Sequence, residues 1–273
     1  MKLTRRALLT RGAAGLAGLI LAPGVLSPLF TKLTQADSLH EVDPESYDWG
    51  DHYYGFLVDT TRCIGCGKCM VACKLENHVP NEPDCNRTWI ERYVISEDGE
   101  VFVDSPDGGI GGFSSFPENI KYRDVHIAQS FFVPKLCNQC DNPPCVQVCP
   151  VGATYMTKDG IVLVDQKRCI GCRYCIQACP YGARYLVPPH ADVTPQGQTG
   201  VADKCTWCYH RITKGLLPAC VEACPVNARI FGDMRDPDSA PRKALRDARV
   251  YTLKPALGTK PKVYYIGLNV EVR

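Results

Sequence analysis

Cys137-Asn138-Gln139-Cys140-Asp141-Asn142-Pro143-Pro144-Cys145-Val146-Gln147-Val148-Cys149-Pro150 and, further on, Cys169-Ile170-Gly171-Cys172-Arg173-Tyr174-Cys175-Ile176-Gln177-Ala178-Cys179-Pro180 decide the fold. In each, three cysteines stand close together, a fourth follows after three residues, and a proline comes next. Cysteines two residues apart in a loop wrap three corners of a cubane iron–sulfur cluster. The fourth, on a following turn of helix, points away and ligates the other cluster of a pair.

Working outward, the theme occurs four times, in Cys63–Cys73, Cys137–Cys149, Cys169–Cys179 and Cys205–Cys224. Of 17 cysteines only Cys85 lies outside these groups, and it reads as an uninvolved thiol, with an intermolecular bridge as the alternative. Four [4Fe-4S] clusters are therefore expected. Crossing of the fourth cysteine pairs the two inner groups: Cys137, Cys140, Cys145 and Cys179 for one cluster, Cys169, Cys172, Cys175 and Cys149 for its mate. The outer groups remain to pair across the middle: Cys63, Cys66, Cys69 and Cys224, then Cys205, Cys208, Cys220 and Cys73. Zinc is the main rival, but its four ligands come as two pairs and account for neither a triplet nor the repeated Cys-Pro.

The units repeat internally. Cys149-Pro150-Val151-Gly152-Ala153-Thr154-Tyr155 matches Cys179-Pro180-Tyr181-Gly182-Ala183-Arg184-Tyr185 and Cys224-Pro225-Val226-Asn227-Ala228-Arg229-Ile230, whereas the first group has Lys74 in place of the proline. The expected fold is α+β: two bacterial ferredoxin-like units, each for two clusters. Residues 52–80 with 200–235 form an outer unit and 131–190 an inner one. Residues 81–130 are an insertion, with Arg87–Ile95 and Val101–Val103 as a hairpin turning at Asp98-Gly99 and a surface loop over Ser105–Asn119. Tyr53–Val58 and Ile161–Val164 read as strands, and a short helix runs from about Cys69 to Asn77. Gly65 and Gly67 are expected to let the backbone approach the sulfides. Residues 236–273 form a tail, read as docking surface or cover, with a helix around Ala240–Arg249 and a last strand at Val263–Ile266.

Seventeen cysteines in an exported chain would ordinarily signal disulfides. The N-terminus offers another reading: Arg5-Arg6 precedes an uncharged stretch from Gly12 to Phe30. Residues 1–36 thus read as a twin-arginine signal, a route that carries folded proteins with their cofactors to the periplasm. Membrane association would come through a partner or the uncleaved signal, since no other segment approaches transmembrane length. The chain is +2, residues 1–36 hold five cations and no acid, and the remainder is −3. Each oxidised cubane with its thiolates adds roughly −2. A distinctly acidic body without a basic–aromatic stripe excludes nucleic acid as partner.

No nucleotide loop, nucleophile–base pair or carboxylate dyad appears, so no catalytic residue and no small-molecule substrate are expected. Lys68, Arg173, Lys204 and Arg211 stand beside cysteines and are weighed as charge compensators against plain surface roles. His210 is weighed as a tuning group against an ordinary polar residue. Trp207, Tyr155 and Tyr185 are read as shields against water.

From about Phe56 to Ala240 the chain resembles the four-cluster iron–sulfur subunits of the dimethyl sulfoxide reductase superfamily, especially the exported tetrathionate or polysulfide reductase subunits. The resemblance rests on all four cysteine groups, on Cys137–Cys145, on Ala202-Asp203-Lys204-Cys205-Thr206-Trp207-Cys208 and on Gly232-Asp233-Met234-Arg235-Asp236-Pro237. It implies the same crossed ligation, a molybdopterin catalytic subunit and a quinone-reactive integral membrane subunit as partners, and an electron relay that is not an enzyme by itself. Some members put tryptophan at one ligand and hold three irons; Cys208 is retained here. The alternative within the relay class is a periplasmic complex of quinone and multihaem cytochrome without molybdenum. The alternatives outside it are an enzyme using the 80–130 insertion and a zinc scaffold.

Overall fold

A computed structural model describes residues 47–113, 122, 124–192 and 198–272. The signal expected over 1–36 lies outside the described residues. Tyr54–Asp59, an uninterrupted apolar run with an acidic end, forms strand β1 and is buried along its whole length. That is the pattern of a strand covered on both faces. It lies in a four-stranded sheet of order β10-β11-β1-β9, with β9 at Arg229–Asp233, β10 at Val250–Tyr251 and β11 at Val263–Ile266. β1 is antiparallel to β9, with Val58 opposite Arg229, and parallel to β11, with Phe56 opposite Val263.

The strand expected at Val263–Ile266 forms, and it lies inside the sheet. Val263 and Tyr265 are buried, and β11 is an interior strand of this sheet. The β-branched and aromatic run Val263-Tyr264-Tyr265-Ile266 signals a strand, but its place in the sheet depends on long-range pairing. The tail helix forms over Ala240–Asp247.

The segment 81–136 makes a second sheet of order β3-β2-β4, from Thr88–Ser96 (β2), Val101–Asp104 (β3) and Ile127–Leu136 (β4). Gly99, at φ 82°, takes the left-handed turn position. β4 is longer than its Phe-Phe-Val signal and runs across the expected boundary at 130/131. Its proline, Pro134, sits on an edge strand, where the missing N–H is tolerated. The described part of the expected loop is not simply surface. Pro106–Gly109 turns in a short 3-10 segment, Gly109 is buried, and Phe113 packs on Phe132.

Two short hairpins follow. β5 (Thr154–Met156) pairs with β6 (Val162–Val164), and β7 (Arg184–Leu186) with β8 (Ala202–Lys204), all antiparallel. The strand leaving the second cysteine group thus pairs with the one leading into the third. The strand leaving the third pairs with the one leading into the fourth, and β9, leaving the fourth, returns to β1, leading into the first. The main core runs through Phe56, Met70, Ile90, Ile161, Trp207, Phe231 and Tyr265.

Candidate metal centres

The third cysteine of every group is the second residue of a helix. Cys69 lies in Lys68–Asn77, Cys145 in Pro144–Gln147, Cys175 in Tyr174–Gln177 and Cys220 in Ala219–Glu222. The last three helices are single turns, because the proline two or three residues on cannot continue the ladder. The first group has Lys74 there, and its helix runs for 10 residues until His78 takes a left-handed φ of 49°. The residue before each second cysteine is also left-handed: Gly65 at 67°, Gln139 at 45°, Gly171 at 68° and Trp207 at 54°. Gln139 and Trp207 accept that strain inside the core. The Gln139 amide donates to the Cys205 carbonyl at 2.9 Å and accepts from the Val162 N–H at 2.7 Å.

The structure brings cysteines of different motifs together. One cavity is lined by Cys137, Cys140, Cys145 and Cys179, with Pro143, Pro144 and Arg184. A second is lined by Cys63, Cys66, Cys69 and Cys224, with Ile90 and Arg229. In a third place the Asn77 amide donates to both Cys73 Sγ and Cys208 Sγ at 3.6 Å, so the first and fourth motifs meet there too. For the remaining four the contacts are separate. Thr154 N–H donates to Cys149 Sγ at 3.4 Å and Ala202 N–H to Cys169 Sγ at 3.4 Å, while Cys175 is buried and Cys172 exposed.

The donor chemistry fits an iron–sulfur group. Burial above all, and then the neighbouring thiols, push Cys140 up to about 12. Burial pushes Cys220 to the same value, outweighing the Arg229 charge that opposes it. Burial likewise lifts Cys63 to about 11, against a backbone N–H bond from Gly65. Buried thiols that resist ionisation become thiolates readily only when cations arrive among them. Backbone N–H donors wait at the sulfurs, from Trp207 to Cys205 at 3.4 Å and from Ala228 to Cys224 at 3.3 Å. Such bonds set cluster potential.

Several expected roles change. Gly65 and Gly67 are also hemmed in by other segments of the chain. A Cβ on Gly65 would meet the Phe132 ring at 2.6 Å, and one on Gly67 the Ile110 carbonyl at 2.4 Å. Lys68 and Arg173 are exposed. Arg211 is engaged by Glu76 at 2.9 Å and Glu222 at 2.5 Å, and His210 by Glu76 at 2.7 Å, so both act as a surface clasp. Tyr155 is exposed, whereas Trp207 and Tyr185 are buried. Lys204 is buried and donates to the Val162 and Cys205 carbonyls. Cys85 is buried among Val79, Val187 and Val201, which removes the intermolecular bridge. Sequence reasoning missed Asn77, Gln139, Arg184 and Arg229. The two arginines carried a signal in the repeated Cys-Pro-x-x-Ala-Arg; the two amides carried none.

Comparison with known proteins agrees with this chemistry. Two 4Fe-4S dicluster domain families match, over residues 62–153 and 128–234. A tetrathionate reductase subunit of Salmonella typhimurium is 41% identical over 249 residues, covering 90% of this chain and 85% of that one. The chain belongs to the iron–sulfur subunits of the dimethyl sulfoxide reductase superfamily. Within that family, the putative dimethyl sulfoxide reductase iron–sulfur subunit of Halobacterium salinarum is 43% identical over 222 residues, 78% of each chain. The corresponding tetrathionate reductase subunit of Archaeoglobus fulgidus is 42% identical over 220 residues, 81% of this chain and 84% of the other. The chain is an iron–sulfur electron-transfer subunit of the kind found in reductase complexes. No helix among the described residues is long and apolar enough to cross a membrane.

Proposed function

We propose that the chain holds four [4Fe-4S] clusters in crossed sets and relays single electrons between a quinone-reactive membrane subunit and a molybdopterin catalytic subunit. The crossed sets are Cys63, Cys66, Cys69 and Cys224 (first cluster), Cys205, Cys208, Cys220 and Cys73 (second), Cys137, Cys140, Cys145 and Cys179 (third), and Cys169, Cys172, Cys175 and Cys149 (fourth). The observation that carries the reading is the mixed lining of the two cavities, three cysteines of one motif with the last of another. The shared Asn77 donor supports it for Cys73 and Cys208. The left-handed residue recurring before each second cysteine supports two ferredoxin-like units built on one repeat.

When bound, each cluster takes up or gives up one electron. The chain's own part is to hold the thiolates, to keep water away with Trp207, Ile90 and Pro144, and to aim N–H groups at sulfur. No substrate is turned over by the chain itself. The names of its relatives, subunits of tetrathionate reductase and dimethyl sulfoxide reductase, support a partner that sets the substrate. The reading includes export to the periplasm by the twin-arginine signal of residues 1–36.

Purified holoprotein is expected to contain roughly sixteen irons per chain. Crossing is tested by paired substitution. Cys137→Ala with Cys179→Ala strikes one cluster twice and is expected to lose about four irons and one signal in electron paramagnetic resonance. Cys169→Ala with Cys179→Ala strikes two clusters and changes two signals. The reverse pattern would sink the assignment. Recovery of molybdenum and a membrane subunit with the tagged native chain tests the partners; recovery of a multihaem cytochrome in their place counts against them.

A further inference from the structure

Six lysine and arginine side chains are buried among the described residues: Arg92, Lys135, Arg184, Lys204, Arg229 and Lys262. Three of them face a carboxylate. Arg92 pairs with Asp104 at 2.6 Å, Lys135 with Glu91 at 2.6 Å, and Lys262 with Asp141 at 3.4 Å. The other three, Arg184 at 5% exposure, Lys204 at 0% and Arg229 at 3%, form no ion pair with any described residue. A buried charge without a counter-charge is costly enough that it does not persist without a reason.

Their positions supply the reason. Arg229 lines the cavity of Cys63, Cys66, Cys69 and Cys224, and its Nη1 donates to Cys220 Sγ at 3.7 Å, a cysteine of the second set. Lys204 Nζ donates to the carbonyl of Cys205 at 2.8 Å, in the second set. It also donates to the carbonyl of Val162, which lines the cavity of the third set. Arg184 lines that third cavity, and its Nη2 has no hydrogen-bond partner. Its Nη1 donates at 3.2 Å to Thr154 Oγ1, and Thr154 N–H in turn donates to Cys149 Sγ of the fourth set.

We propose that Arg229, Lys204 and Arg184 are positioning residues at the three junctions of a linear row of clusters, first–second, second–third and third–fourth respectively. Each supplies the fixed positive charge that two neighbouring anionic clusters share. The inference rests on the four-cluster reading and deepens it, because it orders the row and names the groups that hold neighbouring potentials together. A cation beside a cluster favours its reduced, more negative form. Removing it therefore lowers the potentials of the two clusters it stands between and leaves the others.

The test is a redox titration of purified holoprotein followed by electron paramagnetic resonance. The four signals are first assigned with the cysteine variants above. Lys204→Met is expected to disfavour reduction of the second and third clusters by about tenfold each, about 59 mV for a one-electron couple. The first and fourth stay in place, and Lys204→Arg keeps all four. Arg229→Met is expected to move the first and second clusters, and Arg184→Met the third and fourth. Shifts confined to one cluster, shared equally by all four, or absent would overturn the proposal. So would loss of iron in Lys204→Arg to the same extent as in Lys204→Met, since shape and not charge would then matter. A native protein with fewer than four titrating clusters is a different failure, and refutes the four-cluster reading itself.

Discussion

Lys74 shows how one side chain decides the length of a cluster-bearing helix. Where Pro150, Pro180 and Pro225 follow the last cysteine, the helix is a single turn; where Lys74 follows, it continues to Asn77. Lys74 then closes the next loop, its Nζ donating to the Pro80 carbonyl at 2.7 Å and the Cys85 carbonyl at 2.8 Å. Lys74→Pro is expected to destabilise the holoprotein by about 3 kcal/mol or more, read as a lower midpoint in chemical denaturation. Gly67 is constrained in a different way. Its φ is 72°, and a Cβ there would meet the carbonyls of Ile110 and Gly109 at 2.4 and 2.5 Å. Gly67→Ala is expected to cost at least about 1–2 kcal/mol from the backbone conformation alone, with a lowered midpoint as the check. Both effects could be partly read in advance, Lys74 from the broken Cys-Pro pattern and Gly67 from its residue type. The contact that Gly67 makes could not, because Ile110 lies in another segment.

Helix Lys68–Asn77 is fastened to the fourth motif at its outer end. Glu76 accepts from His210 at 2.7 Å and from Arg211 at 2.9 Å, and Arg211 reaches on to Glu222 at 2.5 Å. Asn77 meanwhile spans the sulfurs of Cys73 and Cys208. The His210 hydrogen bond first, and then the Arg211 charge, outweigh burial and hold the Glu76 carboxyl below its ordinary 4.5. A depressed carboxylate contributes stability that is fully present above the unfolded value and is lost as pH falls through the folded one. The clasp is therefore expected to be intact at pH 7 and to weaken below about pH 4.5. Its worth is under about 1 kcal/mol, since the groups are partly solvated. Glu76→Gln should lower the denaturation midpoint at pH 7 slightly and shrink the fall that the native protein shows on acidification. An equal fall in both proteins would contradict the clasp.

The described residues belong to one compact unit, and its interior holds an uneven balance of charge. Among the described residues Arg184, Lys204 and Arg229 are buried without a paired carboxylate, beside cysteines such as Cys140 and Cys220 whose thiols burial pushes up. Removing the clusters leaves those cations uncompensated and the thiols without ligand bonds, so the metal contributes folding energy directly. Chelation of iron from the holoprotein is expected to abolish near-ultraviolet circular dichroism and raise protease sensitivity. Retention of the native spectrum in an iron-free chain would show that the polypeptide holds this interior alone.

The cysteine spacing and the prolines by themselves determined the fold class, the four motifs and their short helices, because these depend on residues within a turn of one another. The hairpin at Gly99 and the strand at Val263–Ile266 were legible for the same reason, as a turn residue and a local run of β-branched and aromatic residues. The crossing of the motifs was legible from their spacing, whereas the insertion of β11 beside β1 and the burial of Arg184, Lys204 and Arg229 were decided by tertiary structure alone. Those features depend on strands that pair across as many as two hundred residues, as β1 does with β11. A one-dimensional pattern records what a side chain is, and only the folded chain determines which distant charge or sulfur stands next to it.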